Sequence, residues 1–204
     1  TMAAHSRHDL TVIADKGARE HGDFNVVEVD PKGGRWKRTR RVIAILRDLK
    51  PDFLELHQHA PTMRRVALAM PGTPSAWYRH NFLKAPTNPF QRWRHQRRNA
   101  AFDAHIFVSE ATRDAFAKEF PVFDDRAYAI PNGISPEPWR GDPAAKEKLI
   151  AYAGRAAPEK GFQELCNALN TVLEQHPDWS AEIFAGDLHK HRDWAEQQPV
   201  PLSR

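Results

Sequence analysis

The chain has 204 residues, 41% of them hydrophobic and 27% charged, with a formal net charge of +4. That length suits one large domain, or one domain and part of another, with an ordinary apolar share for a globular core. No apolar run approaches the ~18–20 residues of a membrane span, the opening TMAAHSRHDL carries no signal-peptide core, and the single cysteine, Cys166, excludes an internal disulfide.

In chain order, Asp9 to Ala14 reads as a strand and Phe24 to Val29 as a second. Pro31, Gly33 and Gly34 punctuate a loop. Between Lys37 and Lys50 the residues Val42, Ile45, Leu46 and Leu49 recur at helical spacing, and Pro51 ends that helix. Phe53 to His57 is a strand, Pro61 to Met70 a helix, Ser75 to Tyr78 a short strand and Asn88 to Phe102 a basic helix. Ile106 to Val108 is a strand. Ser109 follows as a natural N-cap with Glu110 in the first turn, which predicts a helix over 109–119. Ala127 to Ile130 is a strand, and Pro131-Asn132-Gly133 turns the chain. The stretch 135–146 is rich in proline and charge and forms a natural boundary.

The most informative segment is LIAYAGRAAPEKGFQEL, residues 149–165. An apolar strand meets Gly154 and Arg155, a polar turn carries Pro158, Glu159, Lys160 and Gly161, and a helix begins. Unpaired N–H groups and the dipole at a helix N-terminus favour an anion, so this is a phosphate seat in outline. Phe162, Leu165, Leu169, Val172 and Leu173 mark the apolar face of that helix, and Ala181 to Ala185 is the last strand. Cys166 lies within the helix and reads as a small buried apolar residue, not a catalytic thiol. Strands alternating with helices predict an α/β fold with a Rossmann-like, mostly parallel sheet flanked by helices, and ligands beyond the carboxyl ends of its strands.

These segments together resemble one family. The pieces are "IPNGI" (130–134), "YAGRAAPEKGFQEL" (152–165), "AEIFAGD" (181–187), "LKPDFLELHQH" (49–59) and "HIFVSEATRDAF" (105–116). The set is similar to the retaining glycosyltransferases of family 4, which have the GT-B fold, from about residue 9 to 187. The resemblance implies two Rossmann-like domains facing a cleft. On that basis residues 1–134 are an acceptor domain, 135–147 a linker and 148–204 the start of a domain for a nucleotide sugar. It also implies truncation at both ends: the family's first strand and glycine loop, and its C-terminal glutamate pair spaced E-x7-E, have no counterpart here. The expected reaction moves a sugar to a hydroxyl acceptor with retention, in surface polysaccharide or lipopolysaccharide assembly. The rival expectation is an inactive α/β fragment or binding module.

The resemblance assigns roles to particular residues. Arg155 would clamp diphosphate oxygens in two parallel bonds and Lys160 would add a point charge. Gly154 would let the backbone approach the ligand, with Gly161 completing the turn. His80, in "WYRHNF", resembles a histidine near the reacting sugar and would orient it or take a proton. Asn132 and Gly133 would form a hinge turn at the cleft. His57 and His59 alternate on a strand end, a pattern that suits polar lining of the cleft better than metal, since no third ligand is placed. No cofactor or metal is expected beyond the nucleotide sugar as co-substrate. Two basic clusters remain, Arg35, Lys37, Arg38, Arg40 and Arg41 around Trp36, and Arg92, Arg94, Arg97 and Arg98 around Trp93. They fit solvated helix faces with one tryptophan packed inward, docking on an anionic membrane that carries lipid-linked acceptors, or, less well, nucleic acid. The lone thiol favours a reducing compartment, so the cytoplasm is the expected location, with peripheral membrane contact left open.

Overall fold

A computed structural model describes residues 7–17, 24–57, 59–134, 136–137, 140–142, 144–157 and 160–185. The expected E-x7-E gap after Gly186, and Pro158 and Glu159 of the turn, lie outside the described residues. The chain divides into two units, Thr1–Ser135 and Pro136–Arg204.

In the first unit, strands and helices alternate as the pattern predicts. The elements are β1 (Thr11–Asp15), β2 (Asn25–Val29), α1 (Gly34–Leu49), β3 (Leu54–His57), α2 (Ala60–Ala69), β4 (Ser75–Arg79), α3 (Pro89–Asn99), β5 (Ala104–Phe107), α4 (Glu110–Glu119) and β6 (Ala127–Ala129). All strand pairs are parallel: β1 with β2, and β3-β4-β5-β6 in that order. Among the described residues the N-terminal strands form a separate two-stranded ladder, although Ile13 of β1 packs on the core under β3 and β4.

Helix starts follow their caps. Ser109 Oγ accepts from Thr112 N at 3.3 Å and Asn88 Oδ1 from Gln91 N at 2.9 Å, each quieting an orphan N–H of the first turn. α1 begins three residues earlier than the apolar spacing predicts. Gly33 precedes it at φ 87°, and a Cβ there would come within 2.7 Å of Lys37 Cδ, so glycine sets that start. Leu49 is exposed; Leu46 is buried, with Ile43 packed on the same core. A 3-10 helix over Pro121–Arg126 is absent from the sequence reading. It seats Phe123 beside Phe107, Phe116 and Phe120, of which Phe116 and Phe120 are fully buried.

The second unit is a strand–helix–strand: β7 (Leu149–Gly154), α5 (Phe162–Gln175) and β8 (Ser180–Ala185), with β7 parallel to β8. The buried stripe of α5 is Phe162, Cys166 and Leu169, packed on Ile183. Its period of three to four residues makes Cys166 part of the core, and burial pushes its thiol pKa up. Val172, expected on that face, is partly exposed.

Candidate active site

Alternation along a strand sorts β4 into two sides. Tyr78 and His80 share one side, their rings stacked at 5.3 Å, while Trp77 and Arg79 point to the other. On the first side the neighbouring strand β3 supplies Glu55 and His57. The His57 ring stacks on Tyr78 at 5.1 Å and on His80 at 5.5 Å. His57 Nδ1 lies 3.2 Å from His80 Nε2, and His57 Nε2 lies 2.9 Å from Glu55 Oε1. Both strands are parallel, so the group sits at and just past their carboxyl ends, where open α/β sheets place ligands.

The hydrogen bonds impose an order on the protons. The bond from His57, the largest influence, holds the Glu55 carboxyl below its ordinary range, against a smaller opposing effect of burial. Glu55 is therefore an acceptor. His57 donates from Nε2, which makes Nδ1 its acceptor in the neutral ring. With both rings neutral, His80 donates from Nε2 to His57 and its Nδ1 carries the lone pair. A carboxylate orienting one imidazole that orients a second is an arrangement suited to accepting a proton. Tyr78 is buried, and burial followed by the Glu55 charge raises its phenol pKa. Its hydroxyl donates to the Ile130 carbonyl at 3.0 Å, tying β4 to the end of β6.

His80 is the residue expected from sequence. Glu55 and Tyr78 were not, although Glu55-x-His57 on a strand already put a carboxylate and an imidazole on one side. His59 does not join them. β3 ends at His57, so the alternation stops, and His59 caps α2, its Nδ1 accepting from Thr62 N at 3.4 Å and lying 2.9 Å from Thr62 Oγ1. Burial and then Arg35 lower its pKa. Among the described residues no group of three His, Cys, Asp or Glu side chains could hold a metal ion.

Asn132 and Gly133 follow Ile130 in an exposed segment without a regular turn, and Gly133 has no left-handed φ. The tight turn expected there is thus not formed: with φ on the ordinary side, glycine is not supplying a reversal.

In the second unit, Gly154 closes β7 and Arg155 and Lys160 are exposed. The need for Gly154 is more specific than an open approach for ligand. A Cβ at that position would lie 2.8 Å from the Tyr152 hydroxyl, which donates to the Arg155 carbonyl at 2.9 Å. Tyr152 folds back over the glycine and pins the turn. The Lys160 N–H donates to Ala157 O at 2.9 Å, and Gly161, at φ 63°, reverses the chain into α5.

The basic clusters are largely occupied. Arg38 pairs with Asp15, and Arg41 donates to the carbonyls of Asp30 and Lys32 at 2.6 and 2.7 Å. Arg92 pairs with Glu119, Arg65 lies 3.2 Å over the Trp36 ring and Arg97 lies 5.1 Å over Trp93. Trp36 and Trp93 are about half exposed, so neither packs inward; each is covered by a guanidinium instead.

The all-parallel α/β units flanked by helices are the fold of GT-B glycosyltransferases. A glycosyltransferase from Rickettsia africae ESF-5 superposes with a TM-score of 0.63 at 13% identity, covering 88% of this chain and 54% of that one. Anabaena Alr3699/HepE, solved in complex with UDP and glucose, gives 0.63 at 16% identity, covering 88% and 55%. Among curated proteins, the "Putative glycosyltransferase YtcC" of Bacillus subtilis (strain 168) is 28% identical over 113 residues, 48% of this chain and 27% of that protein. The chain thus spans about a quarter of that relative and just over half of the two solved chains. Residues 2–138 match the model of Glycosyltransferase Family 4, and the chain belongs to that family.

Proposed function

We propose that this chain transfers a sugar, of hexose type, from a nucleotide-sugar donor to a hydroxyl acceptor with retention at the anomeric carbon. The setting is assembly of surface polysaccharide or lipopolysaccharide in the cytoplasm. The observation that carries the reading is the Glu55–His57–His80 chain at and just past the carboxyl ends of two parallel strands, in a member of a glycosyltransferase family. His80 orients the reacting sugar or takes the acceptor hydroxyl proton at Nδ1, and Glu55 and His57 hold its ring in the productive tautomer.

Transfer builds positive charge at the anomeric carbon and negative charge on the departing diphosphate. Arg155 and Lys160, with the N–H groups opening α5, are assigned to that diphosphate. Tyr152 positions the turn that carries Arg155. Protein cations supply the charge the leaving group needs, so the proposal assigns no metal and no cofactor besides the nucleotide sugar. That one solved relative by fold holds UDP and glucose supports the donor class. The cationic clusters on α1 and α3 are assigned to peripheral contact with an anionic membrane bearing the acceptor. Asn132 and Gly133 are assigned to the hinge.

Calorimetric titration with UDP, GDP and ADP tests the diphosphate seat. One nucleotide should bind the wild-type chain, and Arg155→Ala and Lys160→Ala should each weaken it by about tenfold, the worth of one charged hydrogen bond. Equal binding by all three proteins would remove the seat.

A further inference from the structure

The other side of β4 holds a second polar group that the transfer reaction does not use. Arg79 is only 7% exposed, and its Nη1 finds no hydrogen-bond partner among the described residues. Its guanidinium lies 4.2 Å over the Trp77 ring, with Phe107 and Phe116 at 5.5 and 5.2 Å. Nearby, Arg98 Nε and His95 Nδ1 of α3 are likewise buried without partners. These three, with Lys84, line a cavity of about 310 Å³ whose other walls include Trp77 and Leu83. No carboxylate is among the residues that line it.

A buried guanidinium without an anion is costly, because desolvation is not offset by attraction. Here the neighbours make it worse. Burial and then Arg98 push the Arg79 pKa down to about 9, and burial followed by Arg98, Arg79 and Arg94 lowers that of His95. Arg79 still carries its charge at neutral pH. The nearest acid that acts on His95, Glu119, is already paired with Arg92. The cations therefore repel one another around a space large enough for a small molecule.

We propose that this cavity binds the phosphate group of a small phosphorylated molecule. Two arginines and a lysine with no opposing carboxylate suit a dianion better than a monocarboxylate. The planar donors of Arg79 and Arg98 match phosphate oxygens. Phe82 and Leu83 offer apolar surface to the organic remainder. The site rests on the cavity and the cations that line it, and does not depend on the glycosyl-transfer reading.

The test is calorimetry in an Arg155→Ala/Lys160→Ala background, so that the turn after β7 does not contribute. Glycerol 3-phosphate and inorganic phosphate are titrated separately, with acetate at equal ionic strength as the control. Saturable phosphate binding is expected, with Arg98→Gln weakening it by about tenfold or more and the exposed Lys84→Gln by about threefold. Tighter binding of the ester marks an organic phosphate as the ligand; equal binding marks the free ion. Lys84→Gln removes an exposed side chain, so it decides the matter even if Arg98→Gln fails to fold. Acetate binding as tightly as phosphate, no saturable binding of either phosphate, or binding unaffected by Lys84→Gln would overturn the proposal.

Discussion

The two sides of β4 differ in how their polar groups are satisfied. On one side His80 donates to His57, which donates to Glu55, and the chain ends on a carboxylate. On the other, Arg79 Nη1, His95 Nδ1 and Arg98 Nε are buried with no hydrogen-bond partner among the described residues, and burial, then neighbouring guanidinium groups, lower the affinity of Arg79 and His95 for protons. A single residue step along the strand separates the two. In the proposed reaction the paired side moves or holds a proton, and its hydrogen bonds are already satisfied. The unpaired side is strained electrostatically until something negative arrives. Satisfaction of hydrogen bonds, not polarity alone, separates the proton-handling site proposed on one side from the anion-binding site proposed on the other.

The comparison can be broken most forcefully at His80. His80→Ala should reduce sugar transfer by about 10²–10⁴-fold, the range for loss of a general base. Its melting stability should stay within about 0.5 kcal/mol of wild type, since His80 lies outside the core.

The next effect belongs to the unpaired side. β5 places His105 opposite Trp77, fully buried, with Phe116 at 4.9 Å. Burial, then Arg79 and Arg126, push its pKa from 6.5 down to about 3, against a weaker opposing influence of the Asn99 main chain; neither ring nitrogen makes a hydrogen bond of ordinary geometry. Between these values the unfolded chain is protonated at this site and the folded one is not. Folding stability is therefore full above pH 6.5 and falls as pH drops, by up to about 1.4 kcal/mol per pH unit. His95, lowered for the same reasons, adds to the slope with the same sign. Denaturant melts from pH 6.5 to 5 should show this, and His105→Leu should flatten most of it. Glu55 does not confuse the result: its lowered pKa means its contribution is lost only below 4.5.

Two smaller changes sharpen the paired side. Glu55→Gln keeps the shape but removes the charge that fixes the His57 tautomer, and should lower transfer by about tenfold. The pH–rate profile should shift with it, which a merely structural role would not produce. Tyr78→Phe removes only the hydroxyl bond to the Ile130 carbonyl and should cost about 1 kcal/mol of stability by chemical melt.

Much of the fold was legible because its signals are local. Ser109 and Asn88 cap helices by their own side chains, and the apolar runs of β3, β5 and β7 mark strands directly. The 3-10 helix after Phe120 was not, because a six-residue turn has no apolar period to read. His80 was found through a resemblance. Glu55 and Tyr78 needed register, the parallel pairing of His57 with Tyr78, and the Arg79 cavity needed the placing of α3 against β4. Likewise Gly154 looked like room for a ligand, and the space beside it proved to hold the Tyr152 ring.

The most direct test of the account is release of nucleoside diphosphate from a panel of UDP-, GDP- and ADP-sugars, wild type beside His80→Ala. The account predicts release from one donor by the wild type and at least about a hundredfold less by the variant. Equal rates in the two proteins, or no release from any donor by the wild type, would contradict it.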